Sequence, residues 1–234
     1  MKKTKTPKKA PPPGVVAVVR CAPTGARATA TVESLAACTL PDGVALVVLA
    51  VCEHLETFKA LDKVAAQHSA LGLCRALGQA KALNAGISAA GPASLYVFVE
   101  AGDTVEPGHI KAMVSAQADN PGGVYLAGAK IVDEWGIEQD QGDDPRECSA
   151  AMAIDPQALR SLSGFVPAGE SSYAELLVRA KAQGVAVHTA DGVTYNRSAC
   201  HCAEPAHPAI QAAQEGRPHS VASLAKGDVI LRRG

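Results

Sequence analysis

The sequence predicts an α/β fold with a mainly parallel central sheet flanked by helices. Short apolar runs alternate with amphipathic segments along almost the whole chain. The runs at 15–19 and 44–51 are continuous and β-branched, as in strands whose two faces are both covered. A third run, 95–99, stops at Glu100 and Asp103, which places carboxylates at the C-terminal end of a buried strand. Ligands of open α/β sheets bind beyond the carboxyl ends of the strands, so these acids are the first candidates for a site.

The remaining elements continue the alternation. Apolar residues at helical spacing predict helices over residues 29–40, 55–68, 79–90, 107–118, 156–162 and 172–183. Other runs of residues that favour strands predict further strands near residues 71–73, 124–132, 148–154 and 185–188. The Gly-Pro pair that follows residue 90 and the Pro at residue 107 mark the end of one helix and the start of another.

Composition limits the classes of protein to consider. The 234 residues suffice for one sizeable core, and the formal net charge of -1 gives no reason to expect nucleic acid as a partner. No run approaches the roughly 20 apolar residues of a membrane span. Seven cysteines, an odd number, are unlike a disulfide framework and favour a reducing, cytoplasmic setting.

Three regions are predicted along the chain. Residues 1–13 hold five lysines and four prolines and are expected to be a disordered basic tail. Residues 14–197 form the α/β domain, and residues 198–234 an irregular C-terminal tail rich in Pro, His and Ala. A contact between the basic tail and an anionic membrane surface is the alternative to a solvated linker.

Several segments, in order, resemble the family 2 glycosyltransferases, which have the GT-A fold of nucleotide-diphospho-sugar transferases. ALNAGISAAG at 82–91 is similar to the family's helix ahead of the metal-site strand, and VFVEAGDTVEPGHI at 97–110 is similar to that strand and its acidic cluster. MAIDPQALRSLSGF at 152–165, followed by Gly169-Glu170 and a helix, resembles the acceptor-side segment. The resemblance covers about residues 15–197.

The resemblance implies sugar transfer, with inversion, from a nucleotide-diphospho-sugar donor to an acceptor that it does not identify. Glu100 and Asp103 would hold a divalent cation, Mn²⁺ or Mg²⁺, since hard cations prefer oxygen ligands. Glu170 would be the base that deprotonates the acceptor. The alternative for all three acids is that they stabilise the first turns of helices.

Contacts to the donor are expected from Arg20, Lys81 and Asn84. Arg20 stands in the loop after the first strand, where a guanidinium would meet phosphate bidentately. Lys81, close to Asn84 on the same helix, would contact the diphosphate. An exposed loop arginine and a solvated helix lysine are the alternatives.

The sequence also departs from the family's pattern. Gly102 stands where the second acid of the Asp-x-Asp cluster belongs, and Leu49 and Ala50 take the place assigned to an Asp pair at the end of the second strand. These losses support a second hypothesis, a catalytically inactive GT-A-like domain that serves as a binding or scaffold module. The Gln-x-x-Arg-Trp motif of processive synthases is absent.

Other patterns are weaker. Cys200-His201-Cys202, with His207 and His219, could bind zinc, although the spacing matches no standard zinc motif. His188 could be a metal ligand or a partly buried structural histidine. The chain has no Walker phosphate loop, no Gly-x-Gly-x-x-Gly turn and no Gly-x-Ser-x-Gly elbow, which disfavours kinases, dehydrogenases and α/β-hydrolases.

Overall fold

The computed structural model of the chain describes residues 14–21, 28–68, 70–132, 138–139, 152–168, 172–198 and 232–233. The strands are β1 Val15–Cys21, β2 Leu46–Cys52, β3 Leu71–Arg75, β4 Leu95–Glu100, β5 Thr104–Val105, β6 Val124–Val132, β7 Glu138–Gln139, β8 Met152–Ile154, β9 Val187–Ser198 and β10 Arg232–Arg233. The helices are α1 Ala28–Ala36, α2 Leu55–Ala65, α3 Gln79–Ala90, α4 His109–Asp119, α5 Pro156–Ser161 and α6 Ser172–Ala182.

A single mixed sheet runs through the described part of the chain. Its strand order is β10-β3-β2-β1-β4-β8-β6-β9-β5, and β7 pairs with β6. Strands β3, β2, β1 and β4 are parallel neighbours, and β6 and β9 are parallel to each other. Strand β8 is antiparallel to both β4 and β6, so those two share one direction. The prediction of a mainly parallel sheet flanked by helices is confirmed.

The central strands explain the continuous apolar runs. All seven residues of β1 and all six of β4 are buried, because helices cover both faces of the sheet there. Phe98 on β4 is fully buried and meets the ring of Phe165 edge-on, with 5.0 Å between ring centroids. The apolar core therefore lies around β1 and β4 and extends under the segment that follows α5.

The ends of the elements differ from the predictions. The second strand continues to Cys52, one residue beyond its predicted end, and the last central strand covers Val187–Ser198 instead of ending at His188. The short strand Thr104–Val105 was not predicted, because two residues carry no periodicity. Most of the C-terminal tail and the whole basic tail lie outside the described residues, so the three predicted regions stay a prediction.

Helix α3 packs unusually close to the sheet. A Cβ atom on Gly86 would lie 2.6 Å from Cγ1 of Val18 and 3.0 Å from Cγ2 of Val51, so only glycine fits at this contact. This close approach offsets the loss of helix propensity that a mid-helix glycine causes. The start of α3 thereby comes to lie beside the carboxyl ends of β1 and β2.

A buried ion pair on α6 holds the segment that connects α5 to α6. The Nε and Nη2 atoms of Arg179 donate to the two carboxylate oxygens of Glu175, each over 2.8 Å. The same guanidinium donates to the backbone oxygens of Leu162 and Gly164, the latter over 2.9 Å. Glu175 is fully buried and Arg179 is 7% exposed. The segment is thus fixed to the helix that follows it.

Histidine 109 is buried near the start of α4 and has no exposed surface. Burial disfavours the imidazolium and lowers the pKa of His109 from 6.5 to about 4.

None of the helices in the described ranges is long and apolar enough to cross a membrane. The four cysteines that the structure describes, Cys21, Cys38, Cys52 and Cys74, all carry free thiols.

We expect Arg179→Met to destabilise the protein by about 3–5 kcal/mol, because it leaves the Glu175 carboxylate buried without its charge partner. Urea unfolding followed by circular dichroism measures the loss. The matched control is the double variant Arg179→Met/Glu175→Leu, which removes both charges and should recover part of the stability. A double variant that is no more stable than the single one would contradict this account.

We expect acid to weaken the fold through His109. Because the folded-state pKa lies below that of the unfolded chain, the stabilisation is complete above pH 6.5 and is lost as the pH falls towards 4, by roughly 3 kcal/mol in total. Unfolding free energies measured at several pH values in this interval test the effect. The slope should be shallower in His109→Gln, and an unchanged slope would assign the acid sensitivity to other groups.

Candidate active site

Charged side chains gather at the carboxyl ends of three neighbouring strands. Arg20 lies at the end of β1, Glu100 is the last residue of β4, and Glu53 follows the last residue of β2. Arg20 and Glu100 are direct register partners, so the parallel pairing places both side chains on the same face of the sheet. The edge at which the sequence predicts a ligand site thus carries one guanidinium and two carboxylates.

The guanidinium of Arg20 lies between the two carboxylates. Its Nε donates to Oε1 of Glu53 over 3.1 Å, and its Nη1 lies 3.6 Å from Oε1 of Glu100. The side chains of Arg20 and Glu100 are 3% and 8% exposed, so water screens this pair weakly. The second oxygen of Glu53 accepts from the amide of Gly78, 3.3 Å away, at the N-terminus of α3. The cluster therefore ties β1, β2, β4 and α3 together.

Glu53 was missed by the sequence analysis. Leu49 and Ala50 were placed at the end of the second strand, but both are buried in its interior, and the strand ends three and two residues later at Cys52. The first residue after the strand is Glu53, so this strand end does carry a carboxylate. The signal was present: the apolar run continues to Cys52 and stops at an acid, the same pattern that singled out Glu100.

Helix α1 holds the turn that follows β4. The hydroxyl of Thr31 accepts from the amide of Gly102 over 2.9 Å and donates to the backbone oxygen of Asp103 over 2.7 Å. Gly102 has a φ of 107°, a region that disfavours any residue with a side chain. The backbone conformation at this position therefore suits glycine. Asp103 is fully buried.

Tyr173 on α6 covers the same cluster from the other side. Its ring lies edge-on to Phe165, with 5.6 Å between centroids, and its side chain is buried. Burial, followed by the negative charge of Glu100, raises the pKa of Tyr173 well above its usual value. The phenol is therefore neutral at physiological pH, and its hydroxyl lies near the Glu100 carboxylate.

The described side chains do not fit a divalent cation at this turn. A hard cation needs several accessible oxygen ligands, whereas Glu100 is paired with a guanidinium, Asp103 is fully buried and Gly102 has no side chain. Within the described ranges, no group of three or more His, Cys, Asp or Glu side chains is arranged to hold a metal ion. The assignment of Glu100 and Asp103 as metal ligands stays a prediction from the sequence.

Helix α3 carries both of the other predicted donor contacts, in different surroundings. Lys81 is exposed near the helix start. Asn84 is buried, where its Nδ2 donates to the backbone oxygen of Phe165 over 2.8 Å and its Oδ1 accepts from the amide of the same residue over 3.0 Å. Asn84 thus holds the segment that follows α5 in place.

The predicted base, Glu170, lies outside the described residues, but the chain on either side of it is fixed by α3. Asn84 holds Phe165, five residues before Glu170, and the Oε1 of Gln79 accepts from the amide of Ser172 over 2.8 Å. Ser172 is the first residue of α6 and is buried. These amide side chains position the two flanks of the segment that carries Glu170.

Of the predicted alternative metal ligands, His188 is described by the structure and lies away from this cluster. His188 lies at the start of β9, in register with Tyr125 at the start of β6, and its ring stacks on Tyr125 with 5.8 Å between centroids. That position is at the amino ends of the parallel strands, opposite the edge that carries Glu100. Cys200, His201 and Cys202 lie outside the described residues.

The fold matches solved glycosyltransferase structures. TarS of S. aureus in complex with UDP-GlcNAc superposes with a TM-score of 0.63 at 15% identity, and the alignment covers 83% of this chain and 60% of TarS 1-349. The mannosyltransferase PcManGT of Pyrobaculum calidifontis, in complex with GDP-Man and Mn²⁺, gives 0.63 at 16% identity, with 80% and 57% covered. GalNAc-T7 with UDP, GalNAc and Mn²⁺ gives 0.62 at 12% identity, with 80% and 44% covered.

Comparisons of sequence, unlike those of structure, find no match. No protein-family model matches the chain, and no curated protein matches its sequence. The chain spans between 44% and 60% of the length of the three structures compared above. The fold expected from the ordered motifs is confirmed: the chain has the GT-A fold of nucleotide-sugar glycosyltransferases.

Proposed function

We propose that the chain is a family 2 type glycosyltransferase that binds a nucleotide-diphospho-sugar and transfers the sugar, with inversion, to an acceptor hydroxyl. The observation that carries the proposal is the cluster of Arg20, Glu53 and Glu100 at the carboxyl ends of β1, β2 and β4. In an open α/β sheet this edge is the ligand-binding edge. TarS, PcManGT and GalNAc-T7, which share the fold, have structures with UDP-GlcNAc, with GDP-Man and with UDP.

The transfer step is assigned to the segment between α5 and α6. Glu170 removes the proton of the acceptor hydroxyl, the acceptor oxygen attacks the anomeric carbon, and the nucleoside diphosphate leaves from the opposite side of the sugar. Asn84 and Gln79 support this role because they fix the chain before and after Glu170. General base catalysis of this kind contributes roughly 10²- to 10⁴-fold to a rate.

The donor contacts are assigned to the edge of α3 and β1. Lys81 is exposed on the first turn of α3, where an ammonium can reach the diphosphate. Arg20 is held by two carboxylates whose charge outweighs its own, so its contribution is to hold the ends of β1, β2 and β4 in place at this edge. Asn84 acts on the donor only through the segment that it positions.

A second function from a different class is a binding or scaffold module with the GT-A fold and no transferase activity. Gly102 favours this alternative, since it lacks the carboxylate and its φ of 107° suits glycine alone. Two measurements separate the two functions: whether a nucleotide-sugar binds, and whether the bound nucleotide-sugar is consumed.

We expect a nucleotide-sugar to bind and to raise the melting temperature. UDP-GlcNAc, UDP-GalNAc, UDP-glucose and GDP-mannose are the first donors to screen, by thermal shift and then by calorimetry on the full chain. Lys81→Ala should weaken the binding that is found. Lys63→Ala, an exposed lysine in the last turn of α2, is the matched control and should leave binding unchanged.

Release of the nucleoside diphosphate from a bound donor then tests the chemistry. Glu170→Gln should reduce turnover about 10²- to 10⁴-fold while donor affinity stays the same. Donor binding without turnover in the wild-type chain would favour the binding module. Absence of binding by every donor would rule out the glycosyltransferase proposal.

A further inference from the structure

The ion pair between Arg20 and Glu100 lies where the sequence resemblance predicts a divalent cation. Arg20 is the residue before the last of β1 and Glu100 is the last of β4, in direct register on parallel neighbouring strands, and Nη1 of Arg20 lies 3.6 Å from Oε1 of Glu100. The Arg20 side chain is 3% exposed and reaches Glu53 as well, over 3.1 Å. A guanidinium stays protonated at any physiological pH, so this positive charge is permanent.

The guanidinium and a divalent cation would compete for the same oxygens. A Mg²⁺ or Mn²⁺ ion at Glu100 would have to displace Arg20 from the carboxylate or stand beside a positive charge in a poorly screened site. The neighbouring positions offer little compensation, because Gly102 has no side chain and Asp103 is fully buried. The contact of the guanidinium with Glu100 is a single one of 3.6 Å, longer than a hydrogen bond, so the guanidinium competes with an ion through its charge.

Other described groups surround the ion pair. Glu53 faces Arg20 from β2 and also accepts from the amide of Gly78 at the start of α3, where the helix dipole favours negative charge. Tyr173 faces Glu100 from α6 and is neutral. The positive charge inside the described cluster is therefore supplied by Arg20 alone, a residue of the chain itself.

We propose that Arg20 replaces the divalent cation beside Glu100, so that this site is independent of Mg²⁺ and Mn²⁺. The proposal makes two statements. The first is that a nucleotide-sugar binds without a metal ion held by Glu100, and this statement rests on the proposed function. The second is that Glu100 itself binds no Mg²⁺ or Mn²⁺, and this statement is independent of the proposed function.

Titration with Mn²⁺ alone tests whether Glu100 binds a metal ion. The full chain is titrated, and the electron paramagnetic resonance signal of the free ion reports how much Mn²⁺ is bound. Wild type and Glu100→Gln should bind the same amount of Mn²⁺, since Glu100 holds none. Arg20→Met should gain one bound Mn²⁺ per chain, because it exposes Glu100 and Glu53 without the guanidinium. The double variant Arg20→Met/Glu100→Gln should lose that ion again.

Two outcomes overturn the proposal. One is a Mn²⁺ ion bound by wild type and lost in Glu100→Gln. The other is a folded Arg20→Met chain that gains no Mn²⁺, which would show that the guanidinium is not what excludes the ion. If Arg20→Met does not fold, the comparison of wild type with Glu100→Gln decides by itself, and equal binding supports the proposal.

Donor affinity tests whether a nucleotide-sugar binds without a metal ion. The affinity for a donor found in the thermal-shift screen is measured with EDTA and with Mn²⁺. Equal affinities in wild type support metal-independent binding. Mn²⁺-dependent affinity that disappears in Glu100→Gln would overturn this inference and leave the proposed function standing. Absence of donor binding would remove the proposed function, while the Mn²⁺ titration would still decide the inference.

Discussion

The contact of Arg20 with Glu53 and Glu100 is the interaction on which the candidate site depends. A buried charge is costly unless partners of opposite sign surround it, and the Arg20 side chain is 3% exposed. Its partners come from two other strands, so the requirement to neutralise one guanidinium fixes the ends of β1, β2 and β4 relative to each other. The result is a group of paired, charged side chains at the edge of the sheet where ligands of this fold class bind.

Helix α3 organises the rest of the site from one rigid position. Gly86 lets it approach Val18 and Val51 closely, which brings its first turn next to Glu53. From there Gln79 and Asn84 reach across to Ser172 and Phe165 and hold the flanks of the segment that carries Glu170. The helix that carries the predicted donor contacts therefore also positions the chain between α5 and α6, because its buried amide side chains pair with the backbone there.

The turn after β4 has a backbone conformation that suits the glycine it contains. Thr31 holds the amide of Gly102 and the carbonyl of Asp103, and the chain between them passes through a φ of 107°. A carboxylate at Gly102 would have to adopt that conformation, which side chains disfavour. The glycine at position 102, the burial of Asp103 and the pairing of Glu100 with Arg20 belong to one arrangement, and each of them disfavours a metal ion at this turn.

The sequence by itself determined the fold class, the order of the main elements and the strand end at which Glu100 lies. Hydrophobic periodicity and continuous apolar runs are local signals, so residues 15–19 and 95–99 could be identified as buried strands without knowledge of their neighbours. Only the tertiary structure decided what the charged residues do. Arg20 and Glu53 are 33 positions apart and Asn84 and Phe165 are 81 apart, so no local pattern joins them. Strand register places Arg20 opposite Glu100, and burial then makes their pairing the least costly arrangement of those charges.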